Sequence, residues 1–360
     1  MSVFWNSRIQ KLSPYIPGEQ PMDGQLIKLN TNENPYPPSP KVIEAIQNAA
    51  GERLRLYPDP ECTTFREAAA ARFGVKPQQI FAGNGSDEIL AFAFGAFFES
   101  GAKAAPILFP DISYSFYPVY AGLWDIPYRT IALTKDFSIN INDYKIPFGG
   151  VIFPNPNAPT GVALPLDDIL SLAEYLEKQG KVLVVDEAYI AFGAQSAVPY
   201  IEKYSNLLTV HTFSKSASLA GLRCGFAIGN EKLIEGLCRV RDSFNSYTVD
   251  LLALTGAAAA VSDTAYYDEI NRRVVATRER AAQTLSGLGF TVLPSSANFL
   301  FIKPPRISGA EFFAALRQRG ILARHFNKER IADFVRVSIG TDADMEKVLR
   351  ACREIVNHGQ

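Results

Sequence analysis

Two apolar runs that end in polar side chains constrain the fold of this chain most strongly. The first is Val182-Leu-Val-Val-Asp186, and the second is Leu207-Leu-Thr-Val-His-Thr212, with Ser214 and Lys215 directly after it. Short, continuously apolar runs of this kind are typical of strands that are buried inside a parallel sheet. Because ligands bind beyond the carboxyl ends of such strands, the sequence predicts that the polar residues after both runs meet at one edge of the sheet.

Further short apolar runs alternate with helical patterns along most of the chain. Strands are predicted at residues 79–82, 105–109, 150–153, 181–185, 207–210 and 224–228. Helices are predicted at 41–50 and at 63–73, where Gly74 supplies a stop signal. This alternation indicates a mixed α/β sheet with helices on both faces. From about residue 260 onward, a long charged helix and three further strands predict a smaller α+β domain.

The domain organisation follows from length and composition. A chain of 360 residues with 47% hydrophobic residues can bury a large core and is expected to divide into two domains. Residues 1–40 are rich in proline, asparagine and glycine, so we expect an arm or lid there rather than a helix or a central strand. We therefore predict an N-terminal arm at 1–40, a large domain at 41–255 and a small domain at 256–360.

The overall charge and the cysteine and histidine usage exclude several classes of protein. A net charge of -1 provides no general field for nucleic acid or for an anionic membrane. The start of the chain lacks the apolar core of a signal peptide, and no later run reaches membrane-spanning length, so we expect a cytoplasmic protein. The 4 cysteines and 3 histidines show no metal-ligand spacing, and we expect no metal site.

A glycine-containing turn, Ala82-Gly-Asn-Gly85-Ser86-Asp87, follows a predicted strand and opens a predicted helix. Glycine lets the backbone approach an anion, and the free N–H groups at the start of a helix attract negative charge. The pattern predicts a phosphate site at Ser86 and Asp87. A simple helix cap would leave the same pattern, so both interpretations stay open.

Three more motifs follow predicted strands. They are the loop Phe153-Pro-Asn-Pro-Asn157-Ala-Pro-Thr-Gly161, the segment Asp186-Glu-Ala-Tyr189, and the cluster of Thr212, Ser214 and Lys215 with Arg223. An anion site, a lysine able to form an imine, and a carboxylate able to keep a proton on a ring nitrogen are what pyridoxal phosphate requires of a protein. The combination therefore predicts pyridoxal 5'-phosphate as the cofactor.

In this order the motifs resemble the pyridoxal-phosphate aminotransferases of fold type I, and the match runs nearly end to end. Four segments are similar to the histidinol-phosphate aminotransferase family: Leu29-Asn-Thr-Asn-Glu-Asn-Pro-Tyr, Tyr57-Pro-Asp-Pro, Ser296-Ala-Asn298-Phe-Leu and Val335-Arg336-Val-Ser-Ile-Gly. The resemblance implies a three-layer large domain with a mainly parallel sheet, a small α+β domain, and a homodimer with shared active sites.

The resemblance also implies a role for each matching residue. Lys215, Asp186 and Tyr189 would be catalytic, with Lys215 carrying the cofactor and Asp186 bound to its pyridine nitrogen. Further cofactor-binding residues would be Gly85, Ser86, Asp87, Tyr114, Asn157, Thr212, Ser214, Arg223 and, from the neighbouring subunit, Tyr57. Substrate-binding residues would be Arg336 for a carboxylate, Arg324 for a phosphate, and Asn298, Asn34 and Tyr15. The chain departs from the family in reading Ala158 after Asn157, and in two extra residues before Tyr114.

The implied reaction transfers an amino group from histidinol phosphate to 2-oxoglutarate, giving imidazole acetol phosphate and glutamate. An aromatic or broad amino-acid aminotransferase, or a threonine-phosphate decarboxylase, on the same scaffold stays open. Aromatic residues such as Phe116, Tyr117 and Tyr120 would suit a phenyl or an imidazole ring equally, and simple core packing would explain them too. A non-catalytic regulator with this fold is a third alternative, but such proteins usually carry a DNA-binding domain, for which no residues remain.

Overall fold

The structure, a computed structural model, describes residues 3–21 and 26–358. Parts of the predicted arm (1–2 and 22–25) and the last two residues of the predicted small domain (359–360) lie outside the described residues. The helices in chain order are α1 (Ser7–Lys11), α2 (Pro40–Ala49), α3 (Thr63–Phe73), α4 (Gly85–Phe97), α5 (Tyr117–Trp124), α6 (Leu166–Glu177), α7 (Glu231–Phe244), α8 (Leu251–Ser262), α9 (Thr264–Gly287), α10 (Gly309–Gln318) and α11 (Asp342–His358).

The strands belong to one large and two small sheets. They are β1 (Ile27–Lys28), β2 (Ile80–Gly83), β3 (Ile107–Pro110), β4 (Tyr128–Ile131), β5 (Gly150–Pro154), β6 (Leu183–Asp186), β7 (Leu207–Thr212), β8 (Gly225–Gly229), β9 (Thr291–Val292), β10 (Phe299–Lys303), β11 (Ile321–Leu322), β12 (Arg324–His325) and β13 (Val335–Ser338). Each predicted strand from 79 to 228 has an observed counterpart shifted by no more than two residues at either end.

The large sheet has 7 strands in the order β2-β8-β7-β6-β5-β3-β4. The neighbouring strands β4, β3, β5, β6 and β7 are parallel, whereas β8 runs antiparallel to both of its neighbours. In the central pair, Asp186 at the end of β6 is in register with Val210 of β7. The carboxyl ends of these strands therefore open on the same edge, which is where the sequence placed the polar residues.

Successive side chains of each strand point to opposite faces of this sheet, and apolar side chains on both faces pack against helices. In β6, Leu183 and Val185 join a core cluster with residues of α2, α3, α6 and α8, while Val184 joins a second cluster with residues of α4, α5 and α7. The strands are buried on both sides, as continuously apolar runs require. The result is the three-layer α/β arrangement expected from the sequence.

The C-terminal part forms a smaller unit around a sheet of 4 antiparallel strands in the order β12-β13-β10-β9. Its core cluster contains residues of α9, α10 and α11, and it also takes in Leu29 from the N-terminal segment and Tyr189 from beyond β6. The short strand β1 pairs in parallel with β11. These contacts fix the N-terminal segment between the seven-stranded sheet and the four-stranded sheet.

Some elements differ from the sequence expectations. The edge strand β4 was not predicted, because its first three residues are exposed and the sequence has no apolar run there. A short helix, α1, lies inside the segment predicted as an arm without helix. The predicted domain boundary between residues 255 and 256 falls inside α8, and the division into domains stays a prediction. None of the helices in the described part of the chain has the length and apolarity to span a membrane.

Candidate active site

A cavity of about 550 Å³ lies beyond the carboxyl ends of β6 and β7. The large sheet, the small sheet and the N-terminal segment all contribute to its wall. The predicted site residues in this wall are Tyr15, Ser86, Asp87, Tyr114, Asp186, Tyr189, Thr212, Ser214, Lys215, Arg223, Arg324 and Arg336. The predicted site residues Asn34, Tyr57, Gly85, Asn157 and Asn298 are not among those that line it.

Lys215 extends into the cavity from the turn that follows β7. Its Nζ donates a hydrogen bond to the backbone oxygen of Thr31, at 2.8 Å. Burial, together with the positive charge of Arg336, lowers the pKa of Lys215 to about 8. A substantial fraction of this amine is therefore neutral near physiological pH, and a neutral amine can act as a nucleophile or a base.

Asp186 is the last residue of β6, and its side chain is buried at the floor of the cavity. The backbone N–H of Ala188 donates to Oδ1 at 3.1 Å, and the hydroxyl of Tyr117 donates to Oδ2 at 3.3 Å. Burial raises the pKa of Asp186 to about 7, although both donors act in the opposite direction. A positively charged group in the cavity would restore the ionised form of this carboxylate.

A second part of the cavity is suited to an anion. The N-terminus of α4, with Ser86 and Asp87 in its first turn, meets Arg223 there, and the side chain of the N-cap residue, Asn84, makes no capping hydrogen bond. The Arg223 guanidinium donates to Ser214 Oγ at 3.4 Å and to Asp87 Oδ2 at 3.3 Å. A cation, hydroxyl groups and the positive end of a helix dipole are the combination that binds a phosphate.

Gly85 shapes this region without lining it. Its φ is +76°, and a Cβ atom at this position would lie 2.8 Å from Nη2 of Arg223. Any larger residue would therefore meet the guanidinium and would also adopt a backbone conformation that L-residues avoid. The glycine allows the start of α4 and the Arg223 guanidinium to approach each other closely.

Aromatic side chains form the wall next to Asp87. The hydroxyl of Tyr114 donates to Asp87 Oδ1 at 2.6 Å, and Tyr120 reaches the same oxygen at 3.5 Å. The rings of Tyr15 and Phe116 stack with their centroids 4.2 Å apart. Tyr15 in the N-terminal segment is thereby fixed against the large sheet, and both rings line the cavity.

Tyr189, beyond the end of β6, has an asparagine partner that the sequence analysis did not single out. Nδ2 of Asn32 donates to the Tyr189 hydroxyl at 2.9 Å, and both residues line the cavity. Asn157, a predicted cofactor residue, is buried and directly precedes the wall residue Ala158 in the sequence. Its Nδ2 donates to Ile112 O and Thr160 Oγ1, both at 3.0 Å. Its Oδ1 is buried without a hydrogen-bond partner.

Two arginines of the small sheet stand at the cavity on adjacent strands. Arg324 of β12 and Arg336 of β13 are directly paired in the antiparallel register. Arg336 Nη2 donates to Asn30 O at 2.9 Å, while its Nε is buried and has no hydrogen-bond partner in the described part of the chain. Within the described residues, neither guanidinium forms an ion pair. Two cations without a protein counter-charge are available for an anionic ligand.

The remaining predicted residues lie elsewhere. Asn34 donates to Asn271 Oδ1 at 3.2 Å, and Asn298 donates to the backbone oxygen of Asn32 at 2.9 Å. Tyr57 is 81% exposed, and its ring stacks on Tyr247 with 4.6 Å between centroids. Their roles stay predictions: Asn298 contacts the wall residue Asn32, and neither Asn34 nor Tyr57 lines the cavity of this chain.

Some residues that contact the site have no assigned role in the sequence analysis. Among them are Thr31, Asn32 and Glu33 in the wall, and Tyr117, which donates a hydrogen bond to Asp186. The first three lie in the motif Leu29-Asn-Thr-Asn-Glu-Asn34, and no local signal distinguishes its three asparagines. The sequence presents Tyr117 only as an aromatic residue of the substrate surroundings or of the core.

A second cavity, of about 540 Å³, shares Ala188 and Thr212 with the first. It contains no lysine, and its buried carboxylate, Glu187, already accepts hydrogen bonds from Ser196 Oγ and the Ala197 N–H. The first cavity combines an amine, a carboxylate, an anion site and two unpaired arginines, and it is therefore the candidate active site.

The chain is similar to known aminotransferases in sequence and in fold. The family model described as aminotransferase class I and II matches residues 24–352. A histidinol-phosphate aminotransferase of Bordetella parapertussis is 53% identical over 358 residues, which covers 99% of both chains. One of Clostridium acetobutylicum is 50% identical over 356 residues, which covers 99% of this chain and 100% of the relative.

Among solved structures, the histidinol-phosphate aminotransferase of Sinorhizobium meliloti in complex with pyridoxal-5'-phosphate superposes with a TM-score of 0.87. The match covers 100% of this chain and 99% of that chain, at 23% sequence identity. At this level of identity the likeness concerns the fold.

Proposed function

The chain belongs to the class I and II aminotransferases, and on this premise we propose that it transfers the amino group of histidinol phosphate to 2-oxoglutarate. The products are imidazole acetol phosphate and glutamate. Pyridoxal phosphate is the cofactor. The cytoplasmic location expected from the sequence is part of the same proposal.

One observation carries the choice of substrates: Arg324 and Arg336 lie side by side in the cavity wall without an ion-pair partner in the described part of the chain. Histidinol phosphate carries a phosphate, and 2-oxoglutarate carries a carboxylate at each end. Guanidinium groups bind both kinds of anion through charge-assisted hydrogen bonds. The same pair can therefore hold the amino donor and, after it has left, the keto acid.

The cavity fits pyridoxal phosphate at two points. The absence of a Cβ atom on Gly85 lets the Arg223 guanidinium stand at the start of α4, where it can bind a phosphate, and a buried carboxylate lies at the floor. When bound, the cofactor supplies an electron-withdrawing ring that stabilises negative charge on the α-carbon of the substrate and that accepts the amino group. We expect Arg223, with Ser86, Asp87, Thr212 and Ser214 around it, to bind the phosphate.

The other predicted cofactor residues would complete the site. Asp186 would hold a proton on the ring nitrogen, Tyr114 would pack on the ring, and Tyr189 would bind the phenolic oxygen. Asn157 would also bind the phenolic oxygen, although both hydrogens of its amide have acceptors in this structure. Lys215 would bind the cofactor covalently in the resting enzyme.

Lys215 is also the residue that would move the proton. Its amine would accept the proton from the α-carbon of the substrate, which requires the neutral form. Since the pKa of Lys215 is lowered to about 8, the neutral form is accessible near neutral pH. Tyr15 and Phe116, stacked in the cavity wall, would exclude water from one side of the site.

The proposal includes a homodimer with shared active sites. Tyr57 is exposed in this chain and stacks on the exposed Tyr247, and three apolar side chains near them in the sequence, Leu54, Leu56 and Phe244, are exposed too. Burial of such side chains against a second copy would be favourable, and in the dimer that the resemblance implies Tyr57 would reach the phosphate site of that copy.

A panel of amino donors tests the proposed substrate. Histidinol phosphate, phenylalanine, tyrosine and phosphothreonine are each assayed with 2-oxoglutarate, and release of carbon dioxide is measured in parallel. We expect histidinol phosphate to have the highest kcat/KM and no carbon dioxide to be released. A preference for phenylalanine or tyrosine would favour the aromatic aminotransferase, and carbon dioxide released from phosphothreonine would favour the decarboxylase.

A further inference from the structure

Tyr117, the first residue of α5, is a buried tyrosine with a hydrogen bond to the candidate active site. Its exposed fraction is 0%, and its hydroxyl donates to Oδ2 of Asp186 at 3.3 Å. The other oxygen of Asp186 accepts from the backbone N–H of Ala188. Among the described residues, Tyr117 is the side chain that donates a hydrogen bond to this carboxylate.

The ring of Tyr117 is held by aromatic neighbours. It packs edge-on against Tyr114 with 5.8 Å between centroids, and against Phe109 with 5.7 Å. Phe94 adds a third contact at 6.3 Å. Because Tyr117 does not line the cavity, it contacts the site through Asp186 and Tyr114. These contacts fix the position of the hydroxyl without exposing it to a ligand.

We propose that Tyr117 is a positioning residue, which keeps the carboxylate of Asp186 ionised and directed toward the ring nitrogen of the cofactor. The inference rests on the proposed role of Asp186. A hydrogen bond donated to a carboxylate stabilises its charged form, and an ionised carboxylate stabilises a proton on a neighbouring ring nitrogen. Simple core packing would require the ring of Tyr117 but not its hydroxyl.

Burial makes this donor important. It raises the pKa of Asp186 to about 7, while the hydrogen bonds from Ala188 and Tyr117 act in the opposite direction. Without the hydroxyl, the proton shared between Asp186 and the ring nitrogen should move toward Asp186. The ring would then withdraw fewer electrons, and removal of the proton from the α-carbon would slow. Binding of the substrate anions by the arginines would not change.

The direct test measures the ring nitrogen itself. Holoenzyme is prepared with pyridoxal phosphate labelled with nitrogen-15 in the ring, and its chemical shift is recorded for the native protein and for Tyr117→Phe. We expect the signal of Tyr117→Phe to move toward the unprotonated value. We also expect kcat to fall about tenfold, the loss of one hydrogen bond to a charged group, with KM for histidinol phosphate within about twofold.

Two further variants separate the hydroxyl from the packing. Tyr144 is another buried tyrosine, 1% exposed, whose hydroxyl has no hydrogen-bond partner among the described residues, so Tyr144→Phe should keep the native signal. Replacement of Tyr117 by 4-aminophenylalanine keeps a donor on a ring of the same shape and should restore the native signal even if Tyr117→Phe folds poorly. Thermal unfolding checks that each variant is folded.

The outcomes distinguish this inference from the proposed role of Asp186. An unchanged ring-nitrogen signal in folded Tyr117→Phe would overturn the role of Tyr117, as would a 4-aminophenylalanine variant that behaves like phenylalanine. The double variant Asp186→Ala with Tyr117→Phe should match Asp186→Ala alone, and an additional change would also overturn it. If Asp186→Ala itself kept the native signal, the proposed role of Asp186 would fail first.

Discussion

At the level of single residues, burial changes the lysine and the aspartate of the cavity in opposite directions. It lowers the pKa of Lys215 to about 8 and raises that of Asp186 to about 7, because in each case it disfavours the charged form. Both groups therefore have a pKa near neutral pH, where each can gain or lose a proton. The same low-polarity surroundings strengthen their interaction with any charged ligand.

The lowered pKa of Lys215 predicts how the cofactor-free protein takes up pyridoxal phosphate. Since the neutral amine is the nucleophile, the rate of uptake should rise with pH and be half-maximal near pH 8. The yellow colour of the product is followed by absorbance, and borohydride then fixes the cofactor to the protein. Lys215→Ala should give no fixed adduct. A midpoint near 10.5, the ordinary value for lysine, would contradict the effect of burial.

Substitution of Arg324 tests the phosphate end of the substrate. Loss of a charge-assisted pair in a partly dry site costs about 2 to 3 kcal/mol, so Arg324→Ala should raise KM for histidinol phosphate about thirty- to two-hundredfold. Slow turnover of donors without a phosphate should be almost unchanged. Arg306→Ala, at an exposed arginine outside the cavity wall, is the control. Equal losses for both kinds of donor would assign Arg324 to the fold or the cofactor instead.

At the level of elements, the start of α4 and the turn after β7 create the anion site together. Neither element suffices alone, since α4 supplies free N–H groups and the turn leads to Arg223. The glycine at the start of α4 allows this approach. A second glycine with a similar conformation, Gly74 at the end of α3, has no atoms of other residues near its Cβ position.

The two glycines give a matched pair of substitutions. Gly74→Ala and Gly85→Ala each force an alanine into a left-handed conformation, with φ of +68° and +76°, which should cost about 1 to 2 kcal/mol of stability. Only Gly85→Ala also displaces Arg223, so only this variant should bind pyridoxal phosphate more weakly, by about tenfold. Thermal unfolding and cofactor titration measure the two effects. Equal cofactor affinities would show that Arg223 adjusts without loss.

At the level of the whole molecule, the proposed dimer would complete each active site with a residue of the other chain. Tyr57 is exposed and does not line the cavity of its own chain. It lies beyond α2, in a region that contacts α7 through the hydrogen bond from Arg241 to Pro60 O. The side of the molecule that carries β2 and α7 is therefore the expected interface.

Mixing two impaired variants tests whether the sites are shared. In a heterodimer of Lys215→Ala with Tyr57→Ala chains, one site receives an intact lysine from one chain and an intact tyrosine from the other. We expect that site to regain native cofactor affinity, while Tyr57→Ala homodimers bind about tenfold more weakly. If Tyr57 acted within its own chain, no intact site would form and mixing would restore nothing. A different affinity tag on each variant allows the heterodimer to be isolated, which confirms that the chains have exchanged.

Short-range patterns in the sequence were sufficient to predict the elements that carry the motifs. α3 spans Thr63–Phe73 and is followed by its stop residue, Gly74. β6 ends at Asp186, and α4 begins at Gly85. Each of these limits depends on local causes, such as a glycine stop or an apolar run that turns polar. The edge strand β4 was missed because it has no such pattern.

The sequence by itself determined the three-layer α/β fold and the edge of the sheet at which Asp186, Lys215 and Arg223 gather. Only the tertiary structure decided that Asn32 rather than Asn34 lines the cavity, and that Tyr117 contacts Asp186. The N–H of Asn32 donates to Ser338 Oγ across a separation of 306 residues. Such contacts depend on how the small sheet packs against the large one, and neither helical nor strand periodicity encodes the contacts between distant segments.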